Sequence, residues 1–190
     1  MVEIKTLYFE KASKDHSEEV VKCVREFLEE NPEIKHIVVA TTEGTTGVLF
    51  SKQFPQKQVI VVTHHTGFKE PNKNELDSTK KSEILNNGAK ILTATHAFAG
   101  VSRGIRRKVN TWTPVEMMAL AYRTFCQGTK VCAEISLMAA DAGLIPVDRD
   151  VLCVAGTGRG ADTAWLVRPT HTNTFTDLKM KACLCKPLEF

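Results

Sequence analysis

Apolar positions set the first expectations. Over residues 17–30, Val20, Val21, Val24, Phe27 and Leu28 recur at helical spacing, with Ser17 placed to cap the start and Asn31-Pro32 to stop it. From Ile34 to Ala40 the chain reads as a continuous apolar strand, a helix is predicted from about Thr45 to Gln53, and Gln58 to Thr63 is a second strand. Asn74 to Asn87 reads as a helix stopped by Gly88, and Lys90 to Thr95 as a third strand. Two longer helices follow, Pro114 to Cys126 with proline in the first turn and Lys130 to Ala142 ended by Gly143. Asp150 to Ala155 and Ala164 to Arg168 are the fourth and fifth strands. Strands that are apolar on both faces and alternate with helices imply a parallel sheet covered on two sides, hence one three-layer α/β/α sandwich spanning residues 1–190. Only a short glycine-rich loop separates the last two strands, too short for a crossover helix. That pair is therefore expected as an antiparallel hairpin, its second strand at an edge, with the Thr41 strand central. The tail from Asp177 to Cys185 alternates like a half-exposed strand and is placed at an edge, beside Lys5 to Phe9.

Bulk composition narrows the classes without choosing among them. The 190 residues are 43% hydrophobic and 25% charged, ordinary for a globular domain. A net charge of +3 is too mild to imply nucleic acid, and basic residues are not interleaved with aromatics. The one basic cluster, Arg103, Arg106, Arg107 and Lys108, reads as a solvated face in preference to a polyanion site. The start lacks the character of a signal peptide and no apolar run approaches membrane-spanning length, so a cytoplasmic protein without a membrane partner is expected. Six cysteines include no C-x-x-C pair and no zinc-ligand spacing. They are expected as reduced core residues, with a redox role for Cys183 and Cys185 disfavoured.

Chemistry collects after the strands. Thr41-Thr42-Glu43-Gly44-Thr45-Thr46-Gly47 follows the first of them and opens a helix, so unpaired backbone amides, small hydroxyls and glycines converge where an anion could sit. An ordinary N-cap is the plainer reading, but four threonines and two glycines in seven residues exceed what one cap requires. Glu43 is awkward there; it either turns outward or accepts from ligand hydroxyls. The next two strand ends carry His64, His65 and Gly67, and then His96 with Ser102 beyond it, which sets His64 and His96 side by side on neighbouring strands. The last loop runs Gly156-Thr157-Gly158-Arg159-Gly160-Ala161-Asp162-Thr163. It superficially matches a dinucleotide fingerprint, but a strand and not a helix follows, which argues against NAD. The lysine of an ATP-binding loop is missing after Thr41, and no carboxylate near the histidines in sequence supports a metal.

At two of these loops the chain resembles the carboxy-terminal domain of pyruvate kinases. The matching residues are Thr42, Glu43, Gly44, Thr45 and Thr46, corresponding to the loop that binds a phosphate of the sugar bisphosphate activator there, and Gly158, Arg159, Gly160, Ala161, Asp162 and Thr163, corresponding to the loop that closes over it. Thr63 to Phe68 and Thr95 to Gly104 are similar to loops of a small family of stand-alone archaeal proteins that have this domain and no catalytic barrel. That resemblance implies a pyruvate kinase C-terminal domain-like fold and flavin mononucleotide (FMN) as the associated cofactor. The expected site has the phosphate on Thr42 to Thr46 and the ring among His64, His96 and the loop of Gly156, Thr157, Gly158, Arg159, Gly160, Asp162 and Thr163, with Thr41, His65, Gly67 and Ser102 as further cofactor-binding candidates. Two readings follow: a binding protein for a phosphorylated small molecule, foremost FMN, or an enzyme, either a flavin-dependent oxidoreductase or one acting on a phosphorylated metabolite with His64 or His96 as acid or base. A homo-oligomer is left open.

Overall fold

The computed structural model describes every residue except 2, 13 and 14. Alternation within single strands explains why the molecule has three layers. In β2 (His36–Ala40), Ile37 and Val39 face one side of the sheet and Val38 the other, all without exposure. β3 (Gln58–Thr63) repeats this with Val59 and Val61 against Ile60 and Val62, and β5 (Val151–Ala155) is buried along its whole length. A strand apolar on both faces must be covered twice. On one face lie α1 (Ser17–Glu30), α2 (Thr45–Gln53) and α3 (Ser78–Asn86), which contribute Val20, Val24, Phe50 and Ile84 to that core. On the other lies α6 (Gln127–Asp141), with Cys132, Ile135 and Ala139 against Val38, Ile60 and Cys153.

The seven strands are ordered β1-β7-β6-β5-β2-β3-β4, with β1 at Leu7–Lys11, β4 at Lys90–Thr93, β6 at Thr163–Arg168 and β7 at Lys179–Glu189. β2 is interior, between β5 and β3, and β6 is antiparallel to its neighbours on both sides. The fold class read from the sequence holds: a mixed α/β sheet, mostly parallel, with its antiparallel part toward one edge. β6 is not itself the last strand, however. β7 covers it, and β1 pairs parallel to β7 beyond that, Leu7 opposite Cys185. The tail strand thus meets the N-terminal strand as expected, and it runs to Glu189, past the last alternating position that marked it.

Other boundaries moved for local reasons. α3 starts at Ser78 because the Asp77 side chain caps it, accepting from the amides of Thr79 and Lys80. α5 (Pro114–Arg123) is capped by Thr113 and stops short of Cys126, which instead caps α6 through its sulfur. α4 (Gly100–Val109) was not predicted at all; it has a glycine at each of two positions and buries no residue. Ser17 is not the cap of α1. His16 occupies that position, while the Ser17 hydroxyl accepts from the Ala161 amide at 2.8 Å and ties the start of α1 to the glycine-rich loop. Among the described residues no helix is long and apolar enough to cross a membrane.

Candidate functional site

The C-terminal ends of β2, β3, β4 and β5 open into one cleft of about 350 Å³, the place where ligands collect in open parallel sheets. Its first wall is the β2–α2 turn. The Thr41 hydroxyl accepts from the Gly44 amide at 3.1 Å and closes the turn. Gly44 takes φ +105°, and a Cβ there would stand 2.7 Å from the Lys80 Cβ, so glycine is required twice over. The first intrahelical bond is made by Val48 to the Gly44 carbonyl. The amides of Thr45, Thr46 and Gly47 precede it and have no acceptor among the described residues. Thr45 is exposed and its hydroxyl accepts from the Lys80 ammonium at 2.9 Å, whereas Thr46 is buried.

The histidines form an aromatic cluster. The His64 ring stacks on Phe68 at 3.9 Å and stands 5.5 Å from His96, and His65 meets His96 edge-on at 5.4 Å. The Arg103 guanidinium, from α4, lies 5.8 Å from the centre of the Phe68 ring. His64 Nδ1 is 2.6 Å from Glu75 Oε2. The intervening loop is built to bring that carboxylate in: Asn74 donates to the His64 carbonyl through Nδ2 and accepts from the Leu76 amide through Oδ1. A carboxylate does therefore reach a histidine, from eleven residues away. Among the described residues, though, no three His, Cys, Asp or Glu side chains come together to hold a metal ion.

The floor is charged. Lys130 and Glu134, one turn apart on α6 and each 2% exposed, form an ion pair inside the cleft. Glu134 Oε1 also accepts from the Phe98 amide at 2.8 Å, and its Oε2 lies 4.0 Å from His96 Nδ1. Arg123 stands nearby, its Nε donating to Gln127. Burial pulls the Lys130 ammonium below its ordinary value against the pull of Glu134, and it does the same to Arg123, with Arg103 adding to the shift. Burial lowers His96 to about 4, which outweighs the Glu134 charge and keeps the ring neutral at pH 7. An unfolded chain binds protons on this histidine from about pH 6.5 downward while the folded one does not, so its contribution to stability is complete above about 6.5 and is lost as pH falls toward 4. Urea titrations of the parent and of His96→Gln across that range should show up to about 3 kcal/mol more acid loss in the parent. Equal slopes would mean that His96 is protonated in the folded state.

The last wall is the β5–β6 loop, whose course into β6 without a helix matches the sequence reading. A Cβ on Gly156 would stand 2.4 Å from the Gly160 carbonyl oxygen, and one on Gly160, at φ +70°, would stand 2.2 Å from Asp15 Oδ1. Asp162 holds the loop from within, accepting from the Thr157 amide at 3.0 Å and from the Thr163 hydroxyl at 2.5 Å. Arg159 reaches across the mouth to Glu43 at 2.6 Å, so Glu43 does turn outward, and this hydrogen bond lowers its carboxyl below the usual range.

Of the residues singled out from sequence, Thr41, Thr42, Glu43, Thr45, Thr46, His64, His96, Gly156, Gly158, Arg159 and Gly160 line the cleft. Gly44, Thr157, Asp162 and Thr163 shape its loops, His65 backs the aromatic cluster, and Gly67 and Ser102 lie off its walls, in the β3–α3 loop and on α4. Arg103, Arg123, Lys130, Glu134 and Phe68 line it without having been singled out for it, and Glu75 supports His64 from behind. Arg103 belongs to the cluster read as a solvated face; Arg106 fits that reading no better, since it pairs with the buried Glu116 at 2.8 Å.

Comparison with known proteins places these observations. The family model described as pyruvate kinase, alpha/beta domain, matches residues 18–168. Solved structures that match include a hydrogen sulfide-producing enzyme from Fusobacterium nucleatum, 21% identical with a TM-score of 0.31, covering 54% of this chain and 31% of that one. They also include O-ureido-L-serine synthase, 13% identical with a TM-score of 0.32, covering 74% of this chain and 51% of that one. The chain thus spans 31% and 51% of the length of these two structures, and at such scores neither likeness bears on the chemistry of the cleft.

Proposed function

The chain belongs to the family of the pyruvate kinase alpha/beta domain, and from that premise we propose that its cleft binds a phosphorylated small molecule, foremost FMN. One observation carries this reading: the unpaired amides of Thr45, Thr46 and Gly47 open a helix at one wall of a cleft whose other walls bring Arg103, Arg123 and Lys130. Amides and a helix dipole at one side, with cations across from them, favour an anion. The cleft volume is of the size that takes one small molecule.

The residues present fit FMN. Thr45 and Thr46 would hold the phosphate through their amides, and the flat faces of His64, Phe68 and His96 would stack on the ring. Neutral His96 can also donate or accept a hydrogen bond at the ring edge without a charge cost. The Arg159–Glu43 pair spans the mouth and would border the bound ligand there. A flavin held there supplies hydride and one-electron transfer chemistry.

A second reading, an enzyme acting on a phosphorylated metabolite, is favoured by the His64–Glu75 contact. A carboxylate accepting from Nδ1–H leaves Nε2 free as a proton acceptor, the arrangement of an oriented general base. Titration with FMN and with riboflavin, followed by quenching of flavin fluorescence, tests the main reading. FMN should bind at least about tenfold tighter than riboflavin, with inorganic phosphate competing for the difference. Equal affinities would remove the phosphate from the site, and no binding of either would remove the flavin.

A further inference from the structure

α4 is an amphipathic helix whose apolar side nothing covers among the described residues. Val101, Ile105 and Val109 recur at i, i+4 and i+8 and form one stripe, all exposed, Val101 at 78%. The exposed Trp112 extends it, its ring held by the Arg106 guanidinium at 5.0 Å, which the buried Glu116 fixes in turn. Packing of such a stripe is what ordinarily keeps a ten-residue helix helical in water, and α4 contains two glycines besides. It therefore lacks its main source of stability until something covers the stripe. No acidic residue stands on α4, and Arg107 and Lys108 are exposed near its end.

The complement lies at the opposite edge of the sheet. A groove of about 710 Å³, sharing no residue with the cleft, runs along α1 beside β1 and β7. Ile4, Leu7, Phe27 and Leu184 make its apolar floor, and its rim is acidic, four glutamates to two lysines. Glu19, Glu26 and Glu30 share the α1 face turned to it, and Lys22 between them meets Glu26 only at 4.0 Å. From Glu19 to Glu30 α1 rises about 16 Å, room for the stripe of α4, which rises about 12 Å from Val101 to Val109. α4 cannot reach this groove in its own chain. It follows β4, which stands six strand spacings, about 29 Å, across the sheet from β1.

We propose that α4 of one copy seats in the α1–β1 groove of a second copy, apolar stripe on apolar floor, with Lys108 beside the stripe against the glutamate rim. Each copy presents a helix and a groove, so the contact is head-to-tail and not two-fold. Charge selects this arrangement. A two-fold contact of α4 with α4 would set Arg107 and Lys108 against their own kind, and one of groove with groove would do the same with its glutamates. One helix face buries less than the about 800 Å² per partner of a standard interface, so the association is expected to be weak, micromolar in order, and weakened further by salt.

Sedimentation velocity of the whole protein tests this. The parent should pass from monomer to dimer and larger species between about 1 µM and 1 mM. Ile105→Asp spoils the helix, and Ile4→Asp with Leu7→Asp spoils the groove; all three positions are exposed, so circular dichroism should show the parental fold. Ile4, outside any strand, serves alone should Leu7→Asp unsettle β1. Each variant by itself should stay monomeric over the whole range. Mixed in equal amounts they should form a dimer and nothing larger, because one retains a working groove and the other a working helix. A parent that is monomeric at about 1 mM overturns the inference, and its sedimentation with phosphatidylglycerol vesicles would then assign α4 to an anionic lipid surface. A groove variant that associates as the parent does, or a mixture whose components stay apart, overturns it too.

Discussion

Thr45→Glu is expected to weaken FMN binding by about a hundredfold while leaving the fold as stable as before or slightly more so. The two effects have opposite signs for one physical reason. A carboxylate in the first turn of α2 complements the helix dipole and satisfies the free amides of Thr45, Thr46 and Gly47, and Lys80, already donating to the Thr45 hydroxyl, provides it with a cation. What stabilises the helix removes the anion site, since the carboxylate occupies the donors that a phosphate needs and repels it as well. Two or three charge-assisted hydrogen bonds, discounted for the water they replace, amount to about 3 kcal/mol, which is the hundredfold loss. Thr46 would be the wrong position for this experiment. It is 5% exposed under the turn, so a glutamate there would disturb the fold along with the site. Thr45→Ala keeps every amide and should cost only a few fold, and riboflavin should bind Thr45→Glu as it binds the parent. FMN binding to Thr45→Glu at parental affinity would place the phosphate elsewhere.

The parts of this molecule that are legible in its sequence are those where one residue type has one environment. Val38, Val39 and Val59 to Val62 have nothing polar to satisfy, so their burial, the strands and the layer order follow from apolarity alone. The Thr41 loop is legible because a glycine at positive φ beside small hydroxyls has few other uses. The floor of the cleft is not legible. Lys130 and Glu134, four apart on a helix, are written in the letters of a surface pair, and the adjoining Cys132, Ala133 and Ile135 do not say which face is solvent. Only the packing of α6 beneath β2 and β5 turns the pair inward. Glu75 is hidden for another reason: its partner His64 lies across an irregular loop, and no periodicity links two residues on such a segment. Arg123 escapes because a basic residue in the last turn of a helix is what any helix prefers.

Glu134→Gln should cost about 3–5 kcal/mol in stability at pH 7, the largest single-residue effect expected outside the apolar core. The substitution keeps the shape and leaves an acceptor for the Phe98 amide, so the loss measures charge. It strands the Lys130 ammonium, 2% exposed, with Arg103 and Arg123 facing the same cleft. For a domain of 190 residues a penalty of this size lowers the melting temperature by about 10 °C. The signature that separates a stranded charge from a packing fault is its pH dependence. Burial already lowers Lys130, and without Glu134 it falls further, so between the folded and the unfolded lysine values the unfolded chain binds more protons. Stability of Glu134→Gln should therefore climb as pH rises from 7 toward 10, while the parent, still paired, gains less. Lys130→Met combined with Glu134→Leu removes both charges and should recover most of the loss, since two apolar side chains of similar size cost less than one unpaired ion. FMN binding, if it uses the Lys130 charge, should weaken in that double variant even as the fold recovers, which divides the lysine's part in the cleft from its part in the core. Urea unfolding at pH 7 and pH 10 decides the matter: a Glu134→Gln protein within about 1 kcal/mol of the parent at both values would show that water reaches the pair, and that the cleft floor is wetter than its burial implies.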